Sequence, residues 1–468
     1  MRAILATVSA LATALALAAC ATGPDYVAPQ TPAAAAGPFL STSTAVDPTA
    51  PASERWWQLY DDPVLDGLVT DALTANTDLR GAAARLARAR ASLREVRGDR
   101  QPQGNVSASG NYGRVSEIQT IPGVDREGWR VDGGLNVSYE VDLFGRISRN
   151  VEAARGDVGA AQADLDAVRV SIAAETARAY ADAASAAERI AVAERIVALI
   201  DRSLGVTSNR AKVGLTTGLD TARIAALRDQ RLADIPAIRA QRQAALFRLA
   251  TLTGRAPADL PPIAAARTTT LRLDRPIPIG DGAQLLARRP DVRAAERRLA
   301  AATARIGVAT ADLYPKISLG GSIGQTSTGL GDLFGGGPLR WLLGPLINWN
   351  VNPTKARARI AGAEADTQAA LATFDGTVLQ ALEESETALS AYANALQRRT
   401  ALQSARDAAA AAARITRAQQ REGQIDSLVA LDAERTLADT EATLALADAQ
   451  IATAQVDVFR ALGGGWAA

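Results

Sequence analysis

Residues 129–144, WRVDGGLNVSYEVDLF, decide the fold. Trp129, Val131, Leu135, Val137, Tyr139, Val141 and Leu143 fall on one face of an extended chain. Arg130, Asp132, Asn136, Ser138, Glu140 and Asp142 fall on the other. A period of two over this length is that of a strand with one apolar and one wet face. The segments on either side are rich in alanine and read as helix. A long two-faced strand in such a chain needs a cover for its apolar side.

Composition limits what that cover is. The 468 residues are 48% hydrophobic but only 4% aromatic, so alanine supplies much of the apolar content. Alanine favours helix and fills little volume, which suits long, closely packed helices better than a thick globular core. Basic residues number 51 against 50 acidic ones, giving no global field that would draw nucleic acid. There is no histidine, and Cys20 is the single cysteine. Histidine-based catalysis, Cys/His zinc sites and disulfides are thereby removed, and no catalytic residue, metal site or cofactor is expected. The glycines Gly335-Gly336-Gly337 have no following Lys-Ser/Thr and do not make a phosphate loop. Arg85, Arg88, Arg90, Arg94, Arg97 and Arg100 read as a solvated or inter-helix polar face.

Residues 1–19 have the form of an export signal, Arg2 followed by an apolar run. The run ends in Leu17-Ala18-Ala19-Cys20, which resembles the bacterial lipobox, so Cys20 is expected to carry a covalent lipid, palmitate included. Ala21 follows rather than aspartate, which in that lipoprotein class implies sorting to the outer membrane. Beyond Cys20 no apolar run approaches the ~18 residues of a spanning helix, so any crossing must use strands. Pro24, Pro29, Pro32, Pro38, Pro48 and Pro51 mark residues 20–61 as an extended tether rather than a folded unit.

The rest is written twice. Residues 78–109 match 291–322 at a constant offset of 213, pairing Asp78 with Asp291, Arg80 with Arg293, Arg85 with Arg298, Leu86 with Leu299 and Pro102 with Pro315. Tyr180 recurs as Tyr392 and Gly214 as Gly423. A period this long is a duplicated domain-sized unit. The copies are set at 62–260 and 281–468, joined by a linker over 261–280. Each copy reads as a helix (63–98; 283–311) and two strands (about 104–113 and 129–143; about 316–325 and 339–351). A very long helix (147–211; 354–421) and a returning helix (219–253; 427–462) follow. Val158, Ala161, Leu165, Val168 and Ile172 step at coiled-coil spacing, as do Leu371, Phe374, Val378, Ala381, Ser385, Ala388 and Tyr392. A helix of that length extends roughly 100 Å.

Four strands cannot close a useful barrel, and an open edge cannot sit in lipid. Strands of about ten residues are nevertheless the spanning length of membrane β-structure. Three chains donating four strands each give a shared twelve-stranded barrel, with the polar faces lining a pore and Trp129, Tyr139, Trp341 and Trp349 near the lipid boundaries. The fold class expected is mostly α with a membrane β-barrel, a trimer in which long coiled-coil helices prolong the tube; a soluble β-sandwich with helical arms is the alternative.

Several motifs carry a family resemblance. They are Pro24-Asp-Tyr-Val-Ala-Pro29, Trp56-Trp57 leading to Asp62-Pro63-Val64-Leu65, Arg289-Pro290-Asp291-Val292-Arg293 with Ala295-Glu296, and Ile306-Gly307 leading to Leu313-Tyr314-Pro315. Together they resemble the outer-membrane efflux lipoproteins, the NodT-like branch of the outer-membrane factors of tripartite pumps. The resemblance covers essentially the whole mature chain. It implies a homotrimer with a twelve-stranded barrel in outer-membrane lipid and a twelve-helix barrel spanning the periplasm. It also implies a periplasmic adaptor and an energising inner-membrane RND pump as partners, with this chain a passive exit duct for small molecules. An exit duct for type I protein secretion and a non-conducting, lipid-anchored coiled-coil scaffold are the alternatives.

The resemblance also implies where function sits. Val213, Gly214, Leu215 and Thr216 match the family's tip motif, which meets the adaptor's helical hairpin; the second turn keeps Gly423 of that tetrad. Asp220 falls where the first repeat carries an aspartate that holds the tip closed. Asp432 and Asp426 fall where the second repeat projects acids into the narrowest part of the channel, and Val429 stands where some relatives carry a further ring aspartate. Three-fold symmetry would make each acid a ring that favours cations.

Overall fold

A computed structural model describes residues 22–30, 35–119, 123, 125–327 and 339–464, the side chain of Ser427 excepted. The export signal, Cys20 and Gly335-Gly336-Gly337 lie outside the described residues.

The described helices are α1 (Pro63–Ala75), α2 (Thr77–Gly98), α3 (Arg146–Lys212), α4 (Gly218–Leu252), α5 (Gly282–Arg288), α6 (Pro290–Ala311), α7 (Pro353–Arg421) and α8 (Ser427–Ala461). The strands are β1 (Val46–Asp47), β2 (Gln103–Arg114), β3 (Glu127–Val141), β4 (Ile277–Pro278), β5 (Lys316–Ser327) and β6 (Leu339–Asn348). The long helices are continuous over 67 and 69 residues. Among the described residues no helix is long and apolar enough to cross a membrane.

The single helices expected over 63–98 and 283–311 are each broken, at positions related by the same offset of 213. Asn76 is extended, and its Oδ1 accepts from the N–H groups of Asp78 and Leu79 at 2.8 and 3.3 Å. Its Nδ2 donates to the Leu252 carbonyl at 3.0 Å. A short polar side chain here offers the backbone an alternative to the helix ladder. In the second copy Arg289 is extended because Pro290 disfavours the helical region for the residue before it.

The four long strands form one antiparallel sheet in the order β2-β3-β5-β6, so the two sequence copies join at β3 and β5. The register aligns Val106, Leu135, Ile323 and Trp341 in one row, and Tyr139, Leu319 and Pro345 in another, all on one face. Asn105, Asn136 and Ser322 share a row on the opposite face. There Asp132 accepts from the Thr326 hydroxyl at 2.6 Å and faces Arg340 at 3.5 Å. Some residues depart from the alternation: Leu342 and Leu346 lie on the polar rows, and Gln325 and Ser327 on the apolar ones. Leu346 folds over Gly320, where a Cβ would stand 2.5 Å from its Cδ1, so the missing side chain accommodates the leucine. Asp142, assigned to the wet face of the strand, leaves the sheet instead. Its carboxylate accepts from the N–H groups of Ile147 and Ser148 at 2.9 and 2.7 Å and caps α3.

Trp129 packs edge-on to Tyr112 at 5.7 Å, directly across β2 and β3. Tyr139 lies ten residues farther along β3, about 34 Å at strand rise. With the usual tilt of about 40° this projects to about 26 Å, the height of the apolar band of an outer-membrane barrel. Among the described residues β2 and β6 each pair on one side only and leave unpaired edges.

The chain forms two compact units, and each draws on both sequence copies. The first holds residues up to 29, 85–161 and 294–374; the second holds 30–84, 162–293 and the chain from 375 onward. The N-terminal segment is tied down in both, and over Trp56–Tyr60 it forms a short helical turn that buries Trp56 and Trp57. In the first unit Thr22 donates from its N–H and hydroxyl to the Phe144 carbonyl at 3.3 and 2.9 Å. Arg149, 6% exposed at its side chain, binds the Thr22 carbonyl and the Asp25 carboxylate, and Tyr26 donates to Glu296 at 2.6 Å. The segment takes its partners from the helices. In the second unit Leu40 and Ser41 donate to Glu386, and β1 pairs in parallel with β4.

The core of the second unit centres on Trp56, fully buried and stacked on Phe459 at 4.7 Å. Beside it Asp62 caps α1 through Oδ1, while its Oδ2 accepts from Tyr180 at 3.0 Å and Arg267 at 2.8 Å. Replacing Trp56 by alanine removes the largest buried side chain here and is expected to cost about 3–5 kcal/mol. A lowered thermal midpoint in far-UV circular dichroism checks it.

Candidate gate and adaptor-contact tip

Two helix turns lie in the second unit, and both end their long helix the same way. After α3 the chain reverses at Gly214, whose φ is +76°. Leu215 N–H donates to the Arg210 carbonyl at 2.9 Å and Gly214 N–H to that of Ala211 at 3.1 Å. After α7 the turning residue is Gly423, φ +75°; Gln424 N–H donates to Gln419 and Gly423 N–H to Gln420, at 2.9 and 3.1 Å. This is a Schellman closure, in which a left-handed glycine lets two further N–H groups satisfy the last carbonyls of the helix. The two turns are linked, since Arg210 donates to the Gln420 carbonyl at 3.2 Å.

The turns then diverge. Thr217 caps α4 in a reciprocal box: its hydroxyl accepts from the Asp220 N–H at 3.3 Å, and the Asp220 carboxylate accepts from the Thr217 N–H at 3.2 Å. The hydroxyls of Thr217 and Thr216 also donate to this Asp220 carboxylate, at 2.8 and 3.1 Å. These bonds, the Thr217 hydroxyl foremost, hold the Asp220 carboxyl below the usual aspartate range. Asp426 occupies the matching cap position of α8 but makes no side-chain cap bond. Asp426 and Asp432 are both exposed.

Of the residues expected to act here, Val213, Gly214 and Leu215 are exposed, with Val213 at 69% and Leu215 at 75%, and Thr216 is half-buried. Leu219, Leu428 and Val429 extend the apolar surface of the turns. Asp220 is engaged within its own turn, whereas Asp426 and Asp432 stand free of such a cap. Sequence reasoning missed the Arg210 link and the ion pair of Arg417 with Glu434 that joins α7 to α8. The first has no local signal, because its partner is 210 residues away. The Thr217–Asp220 box was legible as a T-x-x-D pattern.

Similarity to known proteins agrees with this architecture. The model of the family described as outer membrane efflux protein matches residues 68–255 and 282–464. The antibiotic efflux pump outer membrane protein ArpC of Pseudomonas putida is 31% identical over 469 residues, covering 97% of this chain and 94% of ArpC. A solved structure of the outer-membrane channel OprN superimposes with a TM-score of 0.88 at 39% identity, covering 96% of this chain and 100% of that one. The open state of the MtrE outer-membrane channel of Neisseria gonorrhoeae gives 0.83 at 29% identity, covering 96% and 99%.

The Asp220 box makes a pH-dependent prediction. A depressed carboxylate stabilises the folded turn at pH values above its unfolded value, and this is lost as pH falls through the folded one. Amides at the start of α4 should therefore exchange faster, relative to their intrinsic rates, as pH falls through that range. Asp220→Ala should remove this dependence, as read by hydrogen exchange.

The fold is that of the trimeric α/β outer-membrane channels, placed in the outer membrane and spanning the periplasm. This chain belongs to the outer membrane efflux protein family and is an outer-membrane channel component of RND-type tripartite efflux systems, not an enzyme.

Proposed function

We propose that the channel is a lipid-anchored, passive exit duct for small molecules, docked at its helix turns by a periplasmic adaptor and gated there by acidic residues. The observation that carries the duct is the sheet, with one mainly apolar face, one mainly polar face and two open edges among the described residues. Such a sheet closes around water only by edge-to-edge pairing of several copies. The energy comes from the inner-membrane pump, and the name of ArpC supports a small-molecule cargo.

The lipid anchor on Cys20 is supported by the tie at Thr22. Two residues beyond Cys20 the chain is bonded to Phe144, just past the end of β3. An acyl chain on Cys20 would thus enter the leaflet at the foot of the sheet. The adaptor reading rests on the exposed Val213 and Leu215 around a glycine without a side chain, and on Gly423 in the second turn. A helical hairpin can approach such a backbone closely.

For the gate, Asp426 and Asp432 supply rings of uncapped acid, while Asp220 holds the shape of the first turn. Asp220→Ala combined with Asp432→Ala should raise single-channel conductance in planar bilayers. Unchanged conductance would remove the gate assignment. Cys20→Ser should abolish incorporation of labelled fatty acid, and retained label would refute the anchor.

A further inference from the structure

The first unit holds two junctions at which a strand of the large sheet leads into a long helix, β3 into α3 and β6 into α7. They are built alike and charged differently. At the first, Arg146 donates from Nε and Nη2 to the Glu140 carboxylate at 2.8 Å each, and the Asp142 carboxylate caps α3. The cation there is satisfied by the junction's own acids. At the second, the chain between strand and helix reads Trp349-Asn350-Val351-Asn352, without an acid. Asn352 does the capping, its Oδ1 accepting from the Lys355 N–H at 3.0 Å. A neutral amide thus takes the place of a carboxylate, and the cations nearby go without its charge.

A cavity of about 220 Å³ opens at this second junction, with Lys316, Lys355 and Arg359 in its wall and Asp312 as the one acid. Arg359 donates to Asp312 Oδ2 at 2.8 Å. Lys316 Nζ stands 3.7 Å from Oδ1, beyond hydrogen-bond length. The Lys355 amine has no partner among the described residues, and neither have the side-chain amides of Asn348 and Asn350, which share the wall. Ammonium, guanidinium and amide N–H groups together form a donor set suited to carboxylate or phosphate oxygens. Tyr314, stacked on Phe144 at 4.5 Å and 40% exposed, adds an aromatic side to the cavity. The volume falls below that of drug-sized sites, so there is room for one anionic group on a small body. Lys316 and Asn348 are direct partners across β5 and β6, on the polar face of the sheet.

We propose that this cavity binds the carboxylate or phosphate group of a small aromatic anion carried in the water of the duct. The site is made by one chain; that its anion is cargo rests on the duct reading. A phospholipid headgroup offers the same oxygens, but the cavity lies on the face opposite the apolar rows that lipid would cover.

Saturation-transfer NMR on the detergent-extracted protein, with benzoate as the probe, tests the site. Benzoate should be saturated and displaced by inorganic phosphate, whereas neutral benzamide should show no phosphate-sensitive signal. Lys316→Gln combined with Lys355→Gln should weaken benzoate by up to about fivefold for each cation removed, the strength of an exposed charge pair. Arg357→Gln, on the same helix but outside the cavity wall, should leave binding unchanged. Equal binding by the double lysine variant and the unmodified protein overturns the site, as does an equal loss in Arg357→Gln. Mass spectrometry of lipid retained through extraction separates the two sources. A phospholipid held by the unmodified protein and lost from the double variant overturns the cargo assignment in favour of a headgroup. Planar-bilayer conductance of the unmodified protein keeps the two levels apart. A protein that conducts but does not bind benzoate overturns the site alone, and one that binds it but never conducts overturns the duct and with it the cargo.

Discussion

An unpaired strand edge is the constraint on which the rest depends. In hydrocarbon each unsatisfied backbone group costs several kcal/mol, because no water is present to replace the lost partner. Among the described residues the large sheet has four strands, and the outer two each keep a free edge. No rearrangement within the chain cures this, since four strands are too few to close. Copies must therefore share the barrel. The sheet can then do without a thick core, because lipid covers one face and water the other. That is why a chain with only 4% aromatic residues can fold around it.

The helical part obeys a different economy. Alanine and glycine at contact positions bring backbones close, as Gly156 does against Ala301. Close packing of small residues provides many weak contacts and little side-chain bulk. Position along the helices is then set by charge. Arg305–Asp157, Arg359–Asp312 and Arg417–Glu434 each join neighbouring helices or their ends. The exposed pairs Arg305–Asp157 and Arg359–Asp312 contribute little stability individually, so their worth is in fixing register rather than in holding the fold. The larger apolar anchors, Trp56 on Phe459 and the buried Tyr180 and Tyr392, lie in the second unit.

The duplicated plan was put to unequal use at the two turns. Both keep a left-handed glycine, since the reversal needs that backbone in either copy. Only the first has Thr217 and Asp220 closing on each other; the second leaves Asp426 without a cap bond. A carboxylate saturated by local donors holds the shape of its turn, whereas the Asp426 carboxylate has no part in capping its helix. The divergence gives one turn a structural acid and the other free ones.

Much of this was legible in residue order alone. The period of two in residues 129–141, the offset of 213 and the glycines at 214, 254, 423 and 463 are local signals. They determined the strands, the duplication and the helix ends, because alternation, propensity and positive φ act over a few residues. The sequence also predicted the class of assembly, since the wet and apolar faces admit few covers. Other features needed the tertiary structure. Asn76 breaks a helix because Leu252 is there to receive its amide. The tether is held because Arg149 and Glu296 meet it, and Asp142 caps α3 instead of facing water. Each of these depends on a partner brought about by folding, and no local pattern encodes what stands opposite.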